Sequence, residues 1–130
     1  NHGYQIACTG LASDSPTYDG LAQASGLPLV NLAGQLSLAD LPGLLQQTAL
    51  LLSLDSAPVH IAAAVGTPCI VGIYGATNER QWAPWDKKIH FEPVYLSLPC
   101  RPCHTKECAT NQCRTDLSAG QLFAAVRRVV

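Results

Sequence analysis

Leu50-Leu51-Leu52-Ser53-Leu54-Asp55-Ser56-Ala57-Pro58-Val59-His60 is the stretch whose reading decides the fold. An almost unbroken apolar run of strand length, Leu50 to Leu54, reads as a strand buried on both faces, the pattern of a parallel sheet. It ends at Asp55. The small residues Ser56 and Ala57 then lead into Pro58, whose fixed φ suits a first helical turn. The helix they open is predicted to run to about Val65, where Gly66 supplies a left-handed stop. In an open α/β sheet, ligands bind beyond the carboxyl ends of the strands. A helix start at that edge offers unpaired N–H groups and a partial positive charge, and both suit a diphosphate. Small side chains at 56 and 57 let a phosphate approach the backbone, and His60 lies in the first turn. The same residues also read as ordinary helix caps beside a surface histidine, and spacing does not separate the two readings.

Working outward, the same alternation continues. Cys69-Ile70-Val71-Gly72-Ile73 is a second buried strand, ending at Tyr74-Gly75, and Ile89 to Leu96 reads as one more. Upstream, Tyr4 to Cys8 and Leu29 to Leu32 read as strands, with Ala33-Gly34 as a break. Between them Ser15 is the expected N-cap, with Pro16 at the first helical position. Tyr18, Leu21, Ala22 and Ser25 form one face, and Gly26 is the stop. Ser37 to Asp40 resembles a capping box for a helix carrying Leu38, Leu41, Leu45 and Ala49, although Pro42 would remove a backbone bond if that helix began at Leu38. Ser118 and Gln121 form a second capping box, stapled by Leu117 and Leu122, with Leu122, Ala125, Val126 and Val129 as the core face. Strands alternating with helices predict one α/β domain over residues 1–130, a Rossmann-like parallel sheet with helices on both faces. No glycine-rich dinucleotide fingerprint and no Gly-x-Ser-x-Gly elbow is present.

Composition agrees with a packed domain: 48% of the 130 residues are hydrophobic. No apolar run reaches the length of a membrane helix, and no signal-peptide pattern opens the chain, so a soluble, cytosolic domain is expected. The sequence begins at Asn1 and contains no methionine, which predicts a piece of a longer protein. Charge is split along the chain. Residues 1–79 hold five acids and no base, whereas residues 80–130 hold eight bases and four acids. That distribution argues against nucleic-acid binding by the first part. A phosphate bound there must rely on backbone N–H groups or on bases outside this chain.

Taken together, Asn31-Leu32-Ala33-Gly34, Asp55-Ser56-Ala57-Pro58-Val59-His60-Ile61-Ala62-Ala63-Ala64, Gly66-Thr67-Pro68 and Tyr74-Gly75-Ala76-Thr77 resemble glycosyltransferase family nine, the ADP-heptose:lipopolysaccharide heptosyltransferases and their relatives. The likeness runs over almost the whole chain. It implies the C-terminal, nucleotide-sugar-binding domain of a GT-B enzyme, truncated so that its first strand and the N-terminal acceptor domain are missing. It further implies that Asp55, Ser56, Ala57 and His60 surround the donor diphosphate. Asn31 and Leu32 would lie by the adenosine, and Tyr74, Gly75 and Thr77 would form a neighbouring wall. The implied reaction is inverting and needs no metal or other cofactor, with a nucleotide sugar such as ADP-heptose as donor and a lipopolysaccharide core as acceptor. The acceptor is engaged through the missing domain at the inner face of the inner membrane. No catalytic residue falls within this chain. The family's lysine-bearing loop is also unmatched, so the chain alone is expected to be inactive. Alternatives are another GT-B transferase or epimerase using a UDP-sugar, or a non-enzymatic metal-stapled interaction module.

Six cysteines are present. Cys8 and Cys69 sit in apolar stretches and read as small core residues. Cys100, Cys103, Cys108 and Cys113 crowd one loop, residues 99–114, spaced Cys-x2-Cys-x4-Cys-x4-Cys. Four thiolates at that spacing suit one structural zinc or iron ion, with His104 as a spare ligand. Free thiols or disulfides are the competing reading. A nucleic-acid knuckle is disfavoured, because no aromatic in the loop could stack on a base. Arg101, Lys106 and Arg114 read as a solvated face. Trp82 and Trp85 read either as walls of a sugar pocket or as cover for the sheet edge. His2 and His90 suggest no function.

Overall fold

The computed structural model describes residues 3–86, 88–105 and 107–130. It forms two compact units, Asn1–Leu41 and Pro42–Val130. In the first, strand β1 (Ile6–Cys8) pairs in parallel with β2 (Leu29–Asn31), Ile6 opposite Leu29 and Cys8 opposite Asn31. The crossover is a 3-10 turn, Ala12–Asp14, followed by helix α1 (Ser15–Ser25). Asp14 rather than Ser15 stands at the N-cap position. The Asp14 carboxylate accepts from the Leu11 N–H at 2.8 Å, closing the preceding turn. Gly26 ends α1 in the left-handed region with φ 64°, as the sequence predicts. The apolar face expected on α1 is not buried, and Leu21 is 52% exposed. Two strands of three residues offer a helix little area to cover. Gly34 has φ 73°, and a Cβ there would lie 2.7 Å from that of Ala12, so only glycine fits where the chain turns after β2.

Ser37 to Asp40 does not begin a helix. The Ser37 N–H and hydroxyl both donate to the Asp40 carboxylate, at 2.9 and 2.6 Å, and close a separate turn. Helix α2 (Leu41–Gln46) starts after it, with Pro42 in the first turn, where a missing N–H costs nothing. It is shorter than the Leu38–Ala49 periodicity suggests.

The second unit holds the larger sheet. Strands β3 (Leu50–Leu54), β4 (Cys69–Ile73) and β5 (His90–Val94) are parallel and adjacent in that order. Leu50 stands opposite Cys69, and Cys69 opposite His90. The parallel, Rossmann-like pattern is therefore present, but among the described residues the strands pair as two sheets rather than one. Helix α3 (Ala57–Val65) joins β3 to β4 and packs on both. The short helix α4 (Glu79–Trp82) lies between β4 and β5. A second short helix, α5 (Gln112–Thr115), precedes α6 (Ala119–Val129).

Ile70 and Val71 point to opposite faces of β4 and both are fully buried, so this central strand is covered on both sides, whereas β3, expected to be buried on both faces, stands at the sheet edge among the described residues with Leu52 47% and Leu54 66% exposed. On one side Val71 and Val94 pack with Ala125 and Val129 of α6, and Leu117, Leu122 and Val126 join them. The Ser118–Gln121 capping box is in place: the Ser118 hydroxyl accepts from the Gln121 N–H, and the Gln121 side chain reaches back to the Ser118 N–H. On the other side Tyr74 and Phe91 meet edge to face at 6.3 Å. Gly72 makes that contact sterically feasible, since a Cβ there would stand 2.9 Å from the Tyr74 ring and 3.1 Å from Phe91. Thr67 is fully buried, and its hydroxyl donates to the Leu45 carbonyl at 2.7 Å, tying the start of β4 to α2. The core role of Cys69 holds: it packs against the Val71 cluster, and burial pushes its thiol pKa up. Cys8 is half-buried, with its thiol likewise raised by burial.

Candidate functional site

The carboxyl ends of β3, β4 and β5 form one edge of the second unit. The ladder carries on one residue past the strands: Asp55 N–H donates to the Ile73 carbonyl and Tyr74 N–H to the Val94 carbonyl, both at 2.9 Å. This extension fixes the backbones of Asp55 and Tyr74 side by side, while the Tyr74 side chain turns into the core. The chain then leaves β3 through Ser56, which is extended (φ −161°, ψ 176°), and enters α3 at Ala57. Ser56 is the N-cap by position, yet its side chain makes no capping bond. Its hydroxyl donates backward to the Leu54 carbonyl at 3.1 Å. The start of α3 is therefore not closed by the side chain best placed to close it, and Ser56 and Ala57 are both exposed. An anion arriving there would meet the Ala57 N–H and the positive end of a nine-residue helix, for Pro58 has no N–H and the Val59 N–H donates to the Ser56 carbonyl at 3.1 Å.

Asp55 is held from the side. The Thr77 hydroxyl donates to Asp55 Oδ2 at 2.5 Å, joining the loop after β4 to the turn after β3. Tyr74 lies beneath rather than beside the turn: it is fully buried, and its hydroxyl donates to the Trp82 carbonyl at 3.2 Å. Burial first, then the nearby charges of Asp55 and Glu79, push its phenol up to about 12. Tyr74 thus supports the edge from the core instead of forming an open wall. Gly75 is half-buried, with the Arg114 side chain at 3.3 Å and the Cys113 sulfur at 3.6 Å from where its Cβ would be.

Arg101 is the residue that sequence reasoning misplaced. It belongs to no solvated face, for its side chain is only 6% exposed. Its Nε donates to the Gly75 carbonyl at 2.5 Å, and Nη2 donates to the Thr77 carbonyl at 2.8 Å. Nη1 reaches the Leu96 carbonyl at 3.4 Å, and Nη2 pairs with Glu79 at 3.2 Å. The guanidinium also lies over the Tyr95 ring, 4.4 Å from its centroid. Nothing local to Arg101 signals this, because its partners lie five to 26 positions away. Arg114 is exposed but packs along Gly75, and Lys106 lies outside the described residues.

The remaining expected site residues are placed as follows. Asn31 and Leu32 belong to the first unit. Asn31 Nδ2 donates to the Ser15 carbonyl, the Ser15 hydroxyl and Asp19, and its Oδ1 accepts from the Ala33 N–H. Its amide is therefore engaged in holding β2 to α1. The Leu32 N–H donates to the Cys8 carbonyl at 2.8 Å, extending the small sheet. His60 is exposed on α3 and borders an open groove with Ala63, Ala64, Pro84, Trp85 and Asp86. Trp85 is 96% exposed and Trp82 44%, so Trp85 does not cover the sheet edge.

Cys100, Cys103, Cys108 and Cys113 carry no disulfide and line one small cavity with Arg101 and Ala76. The N–H groups of Cys103 and His104 both donate to the Ala76 carbonyl at 3.0 Å, which straps the loop to the segment after β4. Cys108 accepts from the Asn111 N–H at 3.4 Å; that bond and contacts with Thr110 hold its thiol below the usual range. Among the described residues no group of three or more His, Cys, Asp or Glu side chains is gathered closely enough to hold a metal ion. The residues suit a soft ion by chemistry, but their present spacing does not form its cage.

A parallel α/β core with an uncapped, small-residue helix start at the carboxyl edge of the strands defines a Rossmann-like protein. The model of glycosyltransferase family 9 (heptosyltransferase) matches residues 1–114, and the chain belongs to this family. Lipopolysaccharide heptosyltransferase 3 of Escherichia coli (strain K12) is 38% identical over 104 residues, covering 76% of this chain and 30% of that protein. Lipooligosaccharide heptosyltransferase 2 of Haemophilus influenzae is 34% identical over 90 residues, covering 66% and 26%. Among solved structures, the glycosyl transferase family 9 protein of Veillonella parvula superposes with a TM-score of 0.76 at 20% identity. E. coli ADP-heptose LPS heptosyltransferase II superposes with a TM-score of 0.73 at 22% identity. Each covers 98% of this chain, which spans 36% of either structure. The chain thus corresponds to about a third of the length of these relatives.

Proposed function

We propose that the complete protein transfers a heptose or a related sugar from a nucleotide-diphosphate donor to a lipopolysaccharide core acceptor, and that this chain supplies part of the donor site. The observation that carries the reading is the turn Asp55-Ser56-Ala57. It combines a helix start with no side-chain cap, two exposed small residues, and a carboxylate fixed by Thr77. Family membership and the names of the heptosyltransferase relatives support it. In the reaction, an acceptor hydroxyl, giving its proton to a base supplied by the acceptor domain outside this chain, attacks the anomeric carbon with inversion while the bond to the diphosphate breaks and the nucleoside diphosphate leaves. The start of α3 stabilises the charge that develops on that leaving group. The proposed donor is ADP-heptose, and the work is done in the cytoplasm at the inner face of the inner membrane. The reaction itself uses no metal. The four cysteines carry the chemistry for one structural zinc or iron ion but are not gathered to hold it as they stand, and free thiols are the competing reading.

The test is calorimetric titration of the complete protein with ADP and with UDP. ADP should bind measurably more tightly. Ala57→Leu should weaken ADP binding by about tenfold or more while thermal stability changes little, since Ala57 is exposed and the added bulk projects where the phosphate would sit. Unchanged ADP affinity in Ala57→Leu would place the diphosphate elsewhere, and tighter binding of UDP would assign the donor to the other nucleotide class.

A further inference from the structure

We propose that Arg101 is a positioning residue for the donor site, acting through the Gly75–Thr77 backbone and the Thr77–Asp55 hydrogen bond. The proposal rests on the donor-site reading above for its ligand, but its structural basis is independent of that reading. Three strands end at this edge and each is followed by a different loop, so the edge has no covalent reason to keep one shape. Arg101 spans it. One guanidinium donates to Gly75 and Thr77 after β4 and to Leu96 after β5, while the Tyr95 ring supports its face. Its planar fork is suited to satisfying several carbonyls in fixed directions, which a lysine ammonium cannot reproduce. Glu79, 16% exposed, compensates the buried charge at 3.2 Å.

The consequence reaches Asp55 in one further step. The same residue, Thr77, gives its carbonyl to Arg101 and its hydroxyl to Asp55. Fixing the carbonyl therefore fixes the backbone from which the hydroxyl reaches Asp55, and the β-branched side chain adds few rotamers of its own. With Asp55 held by Thr77 and by the Ile73 carbonyl, the residue from which the chain turns into α3 is fixed on both its side chain and its backbone. Arg101 stands between Cys100 and Cys103, and Cys103 and His104 are tied to Ala76, so this part of the loop bears on the segment after β4.

The experiment is a mutant cycle in the complete protein, read by ADP titration and by hydrogen exchange without ligand. Arg101→Lys keeps the charge and loses the fork. It should weaken ADP binding about tenfold, the loss expected for charge-assisted hydrogen bonds. Thr77→Val should weaken it similarly, and Thr77→Ser should restore most of the affinity. The double variant Arg101→Lys/Thr77→Val should be no weaker than the weaker single, because both act through one contact. Hydrogen exchange in Arg101→Lys should quicken at residues 55–57 and 75–77 while the amides of β4 stay protected. A merely structural role would loosen β4 as well. Wild-type ADP affinity in Arg101→Lys, additive losses in the double variant, or unchanged exchange at 55–57 would each overturn the proposal. If the unmutated protein binds no ADP, the donor-site reading fails, and the exchange pattern still decides whether Arg101 positions the turn.

Discussion

The Thr77 hydroxyl donates to Asp55 Oδ2 at 2.5 Å across 22 positions of sequence, so the loop after β4 holds the turn after β3. Thr77→Val removes the donor and preserves the shape. The carboxylate then loses a charge-assisted bond, and the expected cost is about 1–3 kcal/mol of stability. Urea unfolding of wild type, Thr77→Val and Thr77→Ser would check this, with the serine variant close to wild type. Equal stability for all three would mean that water replaces the hydroxyl without penalty.

Alkaline pH should weaken the fold through Tyr74. Its phenol titrates near 10 when free and at about 12 in the folded protein, chiefly because it is buried. The folded state therefore holds this proton more tightly than the unfolded state. The associated stability is fully present below pH 10 and is lost as the pH rises toward 12. Tyr74→Phe removes that titration and should flatten the decline. Unfolding midpoints at pH 8, 10 and 11.5 for both proteins would show the difference; parallel declines would assign the alkaline sensitivity to other groups.

Gly72 is the narrow point between Tyr74 and Phe91. Gly72→Ala places a methyl within 2.9 Å of one ring and 3.1 Å of the other, in the middle of a buried strand. Overpacking of this kind costs about 1–3 kcal/mol. Phe91→Leu in the same background should recover part of the loss by making room. Chemical denaturation of the two variants measures both effects, and an unperturbed Gly72→Ala would show that the rings can slide apart freely.

For the cysteine loop the expected outcome is one zinc or iron ion per chain in protein purified without chelator. The four sulfurs line one cavity but are not yet gathered, so uptake must draw the loop inward. Chelation should then loosen residues 99–114 and leave the sheet intact, because the Val71–Val129 cluster lies elsewhere. Elemental analysis with thiol titration decides it. Less than about a tenth of an equivalent of metal, with four reactive thiols in the loop, would leave these residues as thiols that pack against Ala76 and Arg101.

The features that the amino-acid sequence determined by itself are local ones. The β3–α3 turn follows from an apolar run, two small residues and a proline within nine positions, and the structure places β3 and α3 within a residue of expectation. Cys69–Ile73 is a strand, and the Ser118 box starts α6, for the same reason: period and capping act over three or four residues. The Ser37–Asp40 pair shows the limit of such signals: the Asp40 carboxylate takes the Ser37 N–H as in a capping box, but the Asp40 N–H goes to the Ser37 carbonyl, and the result is a turn ahead of α2. Tertiary structure alone decided how the polar groups are used. Arg101 became a buried clasp rather than a solvated base, Asn31 braces β2 against α1 through its amide, and Tyr74 is a core residue rather than a wall. Long polar side chains reach carbonyls anywhere within several ångströms in space, and the chain distance to those carbonyls carries no period. Which carbonyl an arginine meets is settled only when strands from separate stretches are laid side by side, and in this protein that occurs at the shared carboxyl edge of β3, β4 and β5.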